Sequence, residues 1–260
     1  MEDPNVDLGK VDNLTARVIE GADIFDDYTV SDKILKVKRL LGPLTPDQVP
    51  IVRCLALTYI KHIQETGSTV PSTPVMFIKP RTAVADHGEH IPIPKIAQTD
   101  QCDYEGELCV VISKSGKDIS VEEAMDYVGG YTVGNDMSAR GVQQQSSQLC
   151  FSKGFDKYCP LGPVLVAPHL IEDAGNLKIE TRVNGNVRQD SNTNDFLFSI
   201  AEQISYLSQG TTLEKGTVIM TGTPGGVGMG FKPPKFLQDR DKVEVTVEKI
   251  GTLSNVMNFL

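Results

Sequence analysis

DYEGELCVV, residues 103–111, combines three closely spaced acidic side chains with an apolar run. Side chains two residues apart point to the same face of an extended strand. We therefore expect Asp103, Glu105 and Glu107 on one face, and Leu108 and Val110 packed in a core on the other. Such a strand needs something that offsets the repulsion among its carboxylates.

Three interpretations of Glu105 and Glu107 remain open from the residues alone. They can face water on an edge strand, or form an acid/base pair in which repulsion raises one pKa. They can also bind a hard divalent cation, which prefers oxygen ligands. Asp136 favours the cation because it ends the apolar strand GYTVGND, although an Asn-Asp pair after a strand is also common in turns.

Composition limits the classes of partner and location. The 260 residues suit one large domain, or a core domain with a small appendage. The net charge of −9, without a run of Lys or Arg, predicts no nucleic-acid partner. No stretch reaches the roughly 18 apolar residues of a membrane span, and the acidic start MEDPNVDLGK lacks a secretory signal pattern. Five cysteines without a CxxC pair indicate reduced thiols, so a cytoplasmic location is expected.

The chain divides into a predicted small N-terminal unit, residues 1–50, and a main domain, residues 51–260. Gly-Pro and Thr-Pro breaks at 42–46 mark the boundary. The small unit offers strand-like segments at 14–21 and near 25–30, and IVRCLALTY (51–59) then suits a buried strand.

Strand patterns dominate from residue 74 onward, and helices are few. Asn184-Gly185 is a strong hairpin signal and Gly251 marks a weaker one. Helices are predicted over IKHIQET before Gly67, over 120–129 with Ser120 as N-cap, and over 194–210. This balance predicts a strand-rich α+β fold.

Five motifs in order give the chain a family resemblance. They are DYEGELCVVI, GYTVGNDMSAR, SKGFDKYCPLGP, VNGNVRQDSNT and VIMTGTPGGVG. Over residues 51–259 the chain resembles the fumarylacetoacetate hydrolase family, in particular its acylpyruvate hydrolase and oxaloacetate decarboxylase branch. The resemblance implies a mixed β-sandwich roll, commonly in a homodimer.

The resemblance also implies a metal site. Glu105, Glu107 and Asp136 match the carboxylates that hold one Mg²⁺ or Mn²⁺ in the family. Lys153 matches a lysine near the metal and the substrate, although a lysine alone is as easily a surface charge.

Substrate contacts are implied at Arg140, Gln143 and Thr223, which match S-x-R-x-x-Q and TGTP. The alternative for TGTPGGVG is a plain glycine-rich turn, since no P-loop lysine follows it.

His62 and Glu65 are three residues apart in a predicted helix and should therefore be neighbours on one face. Glu65 can hold the imidazole in one tautomer and stabilise its charged form. With Tyr59, taken as a substrate contact, they match the Y-x-x-H-x-x-E motif of family members that cleave carbon–carbon bonds, often carried on a lid. A lone helical histidine is otherwise usually a surface residue.

The function predicted first is a metal-dependent hydrolase that cleaves a carbon–carbon bond of an acylpyruvate-type 1,3-diketo acid and releases pyruvate. His62 would activate water, and the cation and Lys153 would stabilise the departing enolate. The alternatives are a decarboxylase or tautomerase of oxaloacetate or another β-keto acid, or a non-catalytic metal-binding relative. Departures from the family pattern at Ala56, Thr58, Gly141 and Leu149 affect the predicted pocket wall more than the metal ligands.

Overall fold

The computed structural model describes residues 14–21, 23–26 and 28–260. The predicted lack of a secretory signal concerns MEDPNVDLGK, which lies outside these residues. Among the described residues, no helix has the length and apolar character that a membrane crossing requires.

The described chain consists mostly of short strands. The elements of the first half are β1 (Thr15–Glu20), β2 (Thr29–Lys36), β3 (Val52–Ala56), α1 (Ile60–Thr66), β4 (Val75–Lys79), β5 (Val84–Ala85), β6 (His90–Ile93), β7 (Cys102–Asp103), β8 (Gly106–Ile112), β9 (Gly116–Lys117) and β10 (Val128–Asn135). The elements that follow are β11 (Ser138–Ala139), α2 (Arg140–Gln143), α3 (Leu149–Lys153), β12 (Cys159–Val166), β13 (Lys178–Val183), β14 (Asn186–Asn192), α4 (Ile200–Ser208), β15 (Thr212–Leu213), β16 (Val218–Met220), β17 (Lys242–Val247) and β18 (Gly251–Phe259).

Two mixed sheets form the body of the fold. One has seven strands in the order β4-β3-β16-β8-β10-β12-β5, and the other has five in the order β14-β13-β17-β18-β6. Most neighbours are antiparallel, but β16 runs parallel to β3, β12 to β5 and β18 to β6. The prediction of a strand-rich α+β fold with a mixed β-roll is confirmed.

Strand β8 lies in the middle of the larger sheet, and both of its faces are buried. Leu108, Val110 and Ile112 join the main core with residues of the five-stranded sheet. Cys109 and Val111 join a second apolar cluster on the other face. Burial on both sides explains why this strand reads as an unbroken apolar run, and it places Glu107 on the face of Cys109, opposite Leu108.

Asp103 does not share a strand face with Glu105 and Glu107 as expected, because the three residues do not belong to one continuous strand. Asp103 belongs to β7, which pairs with β11, and β8 begins only at Gly106. Asp103 binds Arg140 through a 2.8 Å contact instead of joining the other carboxylates.

Helix α1 and the two predicted hairpins are confirmed. Gly67 ends α1 in a left-handed conformation with φ of 66°. Asn184 and Gly185 both have positive φ in the turn between β13 and β14. The second hairpin pairs β17 with β18, and its turn lies next to Gly251.

Two predicted helices are shorter than expected. Only a 3-10 turn, Ala124–Tyr127, forms within 120–129, because β10 begins at Val128 and leaves too few residues for a stable helix. The helix predicted over 194–210 begins at Ile200, after Ser199 and Glu202 form a capping box.

The N-terminal hairpin of β1 and β2 forms its own two-stranded sheet, and β2 begins later than predicted. Lys215 of the main body contacts Asp23 at 3.0 Å and Asp26 at 2.9 Å, beside this hairpin. The division of the chain at residue 50 stays a prediction.

Candidate active site

The three predicted metal ligands lie together where β8 begins and β10 ends. Antiparallel pairing places Asn135 opposite Gly106, so that Asp136 comes next to Glu105 and Glu107. One oxygen from each of the three carboxylates lies within 4.8 Å of the others. All three side chains are buried, with at most 7% of their residue surface exposed.

Cationic side chains surround two of these carboxylates. Lys153 Nζ lies 2.8 Å from Glu105 Oε2 and 2.6 Å from Asp136 Oδ2. Arg140 Nη2 lies 2.6 Å from Glu105 Oε1, and Lys79 Nζ lies 2.5 Å from Asp136 Oδ1. These last two contacts are ion pairs whose angles fall outside hydrogen-bond geometry.

Among the described residues, no cationic side chain forms an ion pair with Glu107. Its Oε2 accepts a hydrogen bond from the Gly222 N–H at 2.6 Å, and its Oε1 is buried without a hydrogen-bond partner among the described residues. Burial, together with repulsion from Asp136 and Glu105, raises the pKa of Glu107 well above its usual value. A buried acceptor without a donor is unfavourable, and a bound cation would supply the missing partner.

The pKa shifts of the neighbouring groups show how strongly their charges are paired. Burial alone would raise the pKa of Glu105, but attraction to Lys153 and Arg140 lowers it overall. Burial would lower the pKa of Lys153, but Asp136 and Glu105 raise it overall. Three carboxylate oxygens, one of them unpaired, suit a hard divalent cation, so the residues present fit the metal that the family implies.

The predicted dyad forms on α1. His62 Nδ1 lies 3.2 Å from Glu65 Oε2, and the other oxygen of Glu65 accepts the Gly226 N–H at 2.8 Å. A Cβ at Gly230 would lie 2.6 Å from Glu65 Oε1, so the glycine allows its loop to pack closely against the carboxylate of Glu65. His62 is only 8% exposed, and its imidazole lies close enough to Glu105 to lower the pKa of that carboxyl when the ring is protonated. The imidazole therefore lies beside the carboxylates, whereas Glu65 remains exposed to solvent.

Tyr59 precedes α1 and is fully buried. Its ring meets Phe196 edge-on, with 4.6 Å between the centroids. Its hydroxyl has no hydrogen-bond partner among the described residues, and burial, then the charge of Glu107, raise its pKa well above the usual value. Tyr59 thus lies near Glu107.

Arg140 and Gln143 lie on the short helix α2, and Arg140 Nη1 donates to Gln143 Oε1 at 3.0 Å. Arg140 Nε donates to Asp103, whose carboxylate also accepts the N–H groups of Gly228 and Met229. The arginine is therefore held between the carboxylate cluster and the loop that faces Glu65.

Thr223 lies next to Gly222, but its hydroxyl already forms hydrogen bonds with other protein groups. The hydroxyl donates to the Gly106 carbonyl at 2.9 Å and accepts from Gln189 Nε2 at 2.7 Å. Gln189 Oε1 in turn accepts the Gly106 N–H at 2.9 Å. A substrate contact of Thr223 would need one of these bonds to be exchanged.

Lys79, Asn135 and Gln189 support the site but were not among the predicted residues. Alternation along β4 was a usable signal for Lys79, because it shares a face with Phe77 and both are buried. Asn135 Oδ1 accepts the Glu105 N–H at 3.0 Å. Gln189 lay within the motif VNGNVRQDSNT, which does not reveal its role.

The departures from the family pattern have local explanations at two positions. Thr58 donates its hydroxyl to the Thr221 carbonyl at 2.7 Å, which ties the chain before α1 to the TGTP loop. Gly141 packs against Gln101, where a Cβ would lie 2.5 Å from the amide oxygen. Ala56 and Leu149 pack against the second apolar cluster.

Comparison with known proteins decides the family. The family described as Fumarylacetoacetate (FAA) hydrolase C-terminal matches residues 51–258. This chain belongs to the fumarylacetoacetate hydrolase family. The prediction made from the five motifs is confirmed.

Curated relatives in this family include proteins of bacteria and mammals. Oxaloacetate tautomerase YisK of Bacillus subtilis (strain 168) is 48% identical over 219 residues, which cover 84% of this chain and 72% of that protein. Oxaloacetate tautomerase Fahd2a, mitochondrial, of Rattus norvegicus is 42% identical over 217 residues, which cover 83% of this chain and 68% of that protein. These names agree with the oxaloacetate alternative, and they do not test the acylpyruvate hydrolase prediction.

A solved structure of this family supports the fold. The 2-hydroxyhepta-2,4-diene-1,7-dioate isomerase from Mycobacterium marinum is 34% identical and superposes with a TM-score of 0.83, covering 97% of this chain and 91% of that chain.

Proposed function

We propose that this protein is a Mg²⁺- or Mn²⁺-dependent tautomerase that interconverts the keto and enol forms of oxaloacetate. The observation that carries the proposal is the His62–Glu65 dyad, with its buried imidazole, beside the carboxylates of Glu105, Glu107 and Asp136. The names of the relatives at 48% and 42% identity support the choice of substrate.

The reaction is a proton transfer, which matches the dyad. Keto–enol exchange takes a proton from C3 of oxaloacetate and places one on the oxygen at C2, with no atom lost. Glu65 accepts the Nδ1–H of His62, which leaves Nε2 free to take the C3 proton. A divalent cation bound by the three carboxylates would polarise the C2 oxygen as a Lewis acid.

The remaining site residues orient the substrate. Lys153 and Arg140 bring positive charge to the edge of the carboxylate cluster, where a dicarboxylate needs it. Tyr59 presents a buried hydroxyl near Glu107, and its high pKa keeps that hydroxyl protonated, so that it can donate a hydrogen bond. Gln143 fixes the arginine, while Thr223 is available only if it exchanges a bond with Gln189.

The test follows enol oxaloacetate by its ultraviolet absorbance. With Mg²⁺ or Mn²⁺ the protein should accelerate the loss of the enol, and chelation of the cation or the change Glu107→Gln should remove the effect. Pyruvate and CO₂ are measured in the same reaction. Release of both at the rate of enol loss would favour decarboxylation, and an unchanged rate of enol loss would reject the proposal.

A second candidate is hydrolysis of an acylpyruvate. The observation that favours it is the Y-x-x-H-x-x-E pattern at Tyr59, His62 and Glu65, since the same histidine can deprotonate a water molecule. Incubation with an acylpyruvate and Mg²⁺ should then release pyruvate and a carboxylic acid. Turnover without any divalent cation would exclude this candidate.

Quaternary structure and location belong to the proposal as well. Met76 and Ile78 are exposed on β4, an edge strand, and Ile78 lines one hollow with the exposed Phe151 of α3, which supports a homodimer. Light scattering on the purified protein measures its mass directly. A cytoplasmic location is tested by cell fractionation, and the rat relative, whose name includes mitochondrial, is the comparison.

A further inference from the structure

We propose that Lys79 makes Asp136 a one-oxygen ligand and thereby selects a small divalent cation such as Mg²⁺ over Ca²⁺. The proposal rests on the proposed function only in that the carboxylate cluster must hold a cation. It assigns a specificity-determining role to a residue that touches neither the dyad nor the substrate contacts predicted from the sequence.

Each carboxylate of the cluster has one oxygen in contact with its own protein group, a cationic side chain or a backbone N–H. The pairs are Glu105 Oε1 with Arg140 Nη2 at 2.6 Å, Asp136 Oδ1 with Lys79 Nζ at 2.5 Å, and Glu107 Oε2 with the Gly222 N–H at 2.6 Å. One oxygen of each carboxylate remains, namely Glu105 Oε2, Asp136 Oδ2 and Glu107 Oε1. Lys153 contacts the first two, but its ammonium has no other hydrogen-bond acceptor among the described residues, so a cation can displace it.

Lys79 is fixed beside Asp136 Oδ1 by burial and by two further contacts. It is 0% exposed, and its ammonium also contacts the carbonyls of Met137 at 3.2 Å and Tyr158 at 2.6 Å. An ammonium has three hydrogens, and three oxygens surround this one. Release of Asp136 would leave a buried charge without its partner, which is costly. Asp136 therefore cannot turn both oxygens toward a cation.

This restriction separates Mg²⁺ from Ca²⁺. Mg²⁺ requires a compact octahedron and binds through few carboxylate oxygens and water, whereas Ca²⁺ takes more oxygens and often uses both oxygens of one carboxylate. A cluster that offers one oxygen per carboxylate suits the first ion and withholds the extra ligands from the second. Without Lys79, Asp136 is free to provide both oxygens.

The test is the binding of Mg²⁺ and Ca²⁺ to the purified protein, measured by calorimetry without substrate. In the variant Lys79→Met, the affinity for Ca²⁺ relative to Mg²⁺ should increase at least about tenfold. The control Lys178→Met removes a lysine that is paired only at the surface, with Glu180 and Asp190, and should leave the ratio unchanged. An equal change for both ions in Lys79→Met would reflect charge alone and would overturn the proposal.

If Lys79→Met does not fold, crystals of the unaltered protein soaked in Mn²⁺ or in Ca²⁺ test whether Asp136 binds an ion through one oxygen or through both. Asp136 should bind either ion through one oxygen while Lys79 stays on the other. Asp136 bound through both oxygens would overturn the proposal. If the unaltered protein binds no divalent cation, the metal-dependent function itself fails. If Lys79→Met binds cations tightly and its affinity for Ca²⁺ relative to Mg²⁺ is unchanged, the proposed role of Lys79 in ion selectivity is wrong, but the proposed function is not affected.

Discussion

Glu107 differs from its neighbours in the carboxylate cluster because a backbone N–H, and no cationic side chain among the described residues, pairs with it. Burial and the charges of Asp136 and Glu105 raise its pKa. In the absence of a cation, its charge is therefore unfavourable in the folded protein. A bound cation would pair with this charge, so substitution of Glu107 can distinguish an effect on cation binding from an effect on folding.

We expect Glu107→Gln to weaken Mn²⁺ binding roughly a hundredfold, the equivalent of about 3 kcal/mol. Because the neutral amide removes a repelled charge, the variant without metal should be at least as stable as the unaltered protein. Calorimetry gives the affinity, and urea unfolding in the presence of chelator gives the stability. A large loss of stability would indicate that Glu107 is mainly a folding residue.

Gly222, which donates to Glu107, requires glycine for two reasons. Its φ is 97°, and a Cβ there would overlap the hydroxyl of Thr58. Gly222→Ala should lower the free energy of unfolding by about 2–4 kcal/mol and weaken Mn²⁺ binding, because the N–H to Glu107 moves. Gly185→Ala is the matched control, since Gly185 has a φ of 78° and open space around it. It should cost only about 1 kcal/mol. Equal losses for the two variants would contradict the overlap with Thr58.

At the scale of elements, α1 is attached to the body at both of its ends. Thr58 binds the Thr221 carbonyl before the helix, and Glu65 accepts the Gly226 N–H near its end. The Lys61 N–H donates to Asp195 at 3.0 Å. These bonds fix the position of His62 relative to the carboxylates.

Removal of one attachment should loosen α1 without unfolding the protein. Thr58→Val keeps the shape but leaves the Thr221 carbonyl without its donor, so we expect a loss of about 1 kcal/mol. Hydrogen exchange across residues 59–67 should become faster, and kcat should fall more than KM rises. Thr246→Val, which breaks a hydroxyl pair on the hairpin of β17 and β18, is the control. Unchanged exchange in Thr58→Val would indicate that other contacts hold α1.

Sequence patterns predicted the elements where the pattern is local. The strand at 51–59, the Asn184-Gly185 turn and the end of α1 at Gly67 depend on neighbouring residues, and all three are confirmed. The helix expected at 120–129 does not form, because β10 already begins at Val128. Such competition between elements is decided by the sheet and cannot be read from a short window.

The site was predictable only in part, for the same reason. Motifs indicated Glu105, Glu107 and Asp136, and the structure brings them together. The supporting residues come from distant strands: Lys79 contacts Asp136, and Gln189 binds the Gly106 N–H. Alternation along β4 can indicate that Lys79 is buried, but it does not show that Lys79 reaches Asp136. The alternation of strand faces placed Asp103 beside the glutamates wrongly, because β7 ends at Asp103 and β8 begins only at Gly106.

At the scale of the whole molecule, the carboxylate cluster joins the larger sheet to the loops around α1, so cation binding should stabilise the entire fold. A ligand that binds only the native state adds about 2.7 kcal/mol at one hundred times its dissociation constant. We expect this gain in urea unfolding with Mn²⁺ or Mg²⁺, its loss with chelator, and its absence in Glu107→Gln. An equal gain in Glu107→Gln would place the cation at another site.

In the proposed function, His62 transfers the C3 proton of oxaloacetate beside a cation held by Glu105, Glu107 and Asp136. The most direct measurement is the exchange of the C3 hydrogens of oxaloacetate with ²H₂O, followed by proton NMR with protein and Mg²⁺. Exchange should be fast in the unaltered protein, slower by roughly 10²–10⁴-fold in His62→Ala, and absent above background in Glu107→Gln. His62→Ala should keep its affinity for Mg²⁺. Exchange at the full rate in His62→Ala, or at the full rate in chelator, would contradict the proposed function.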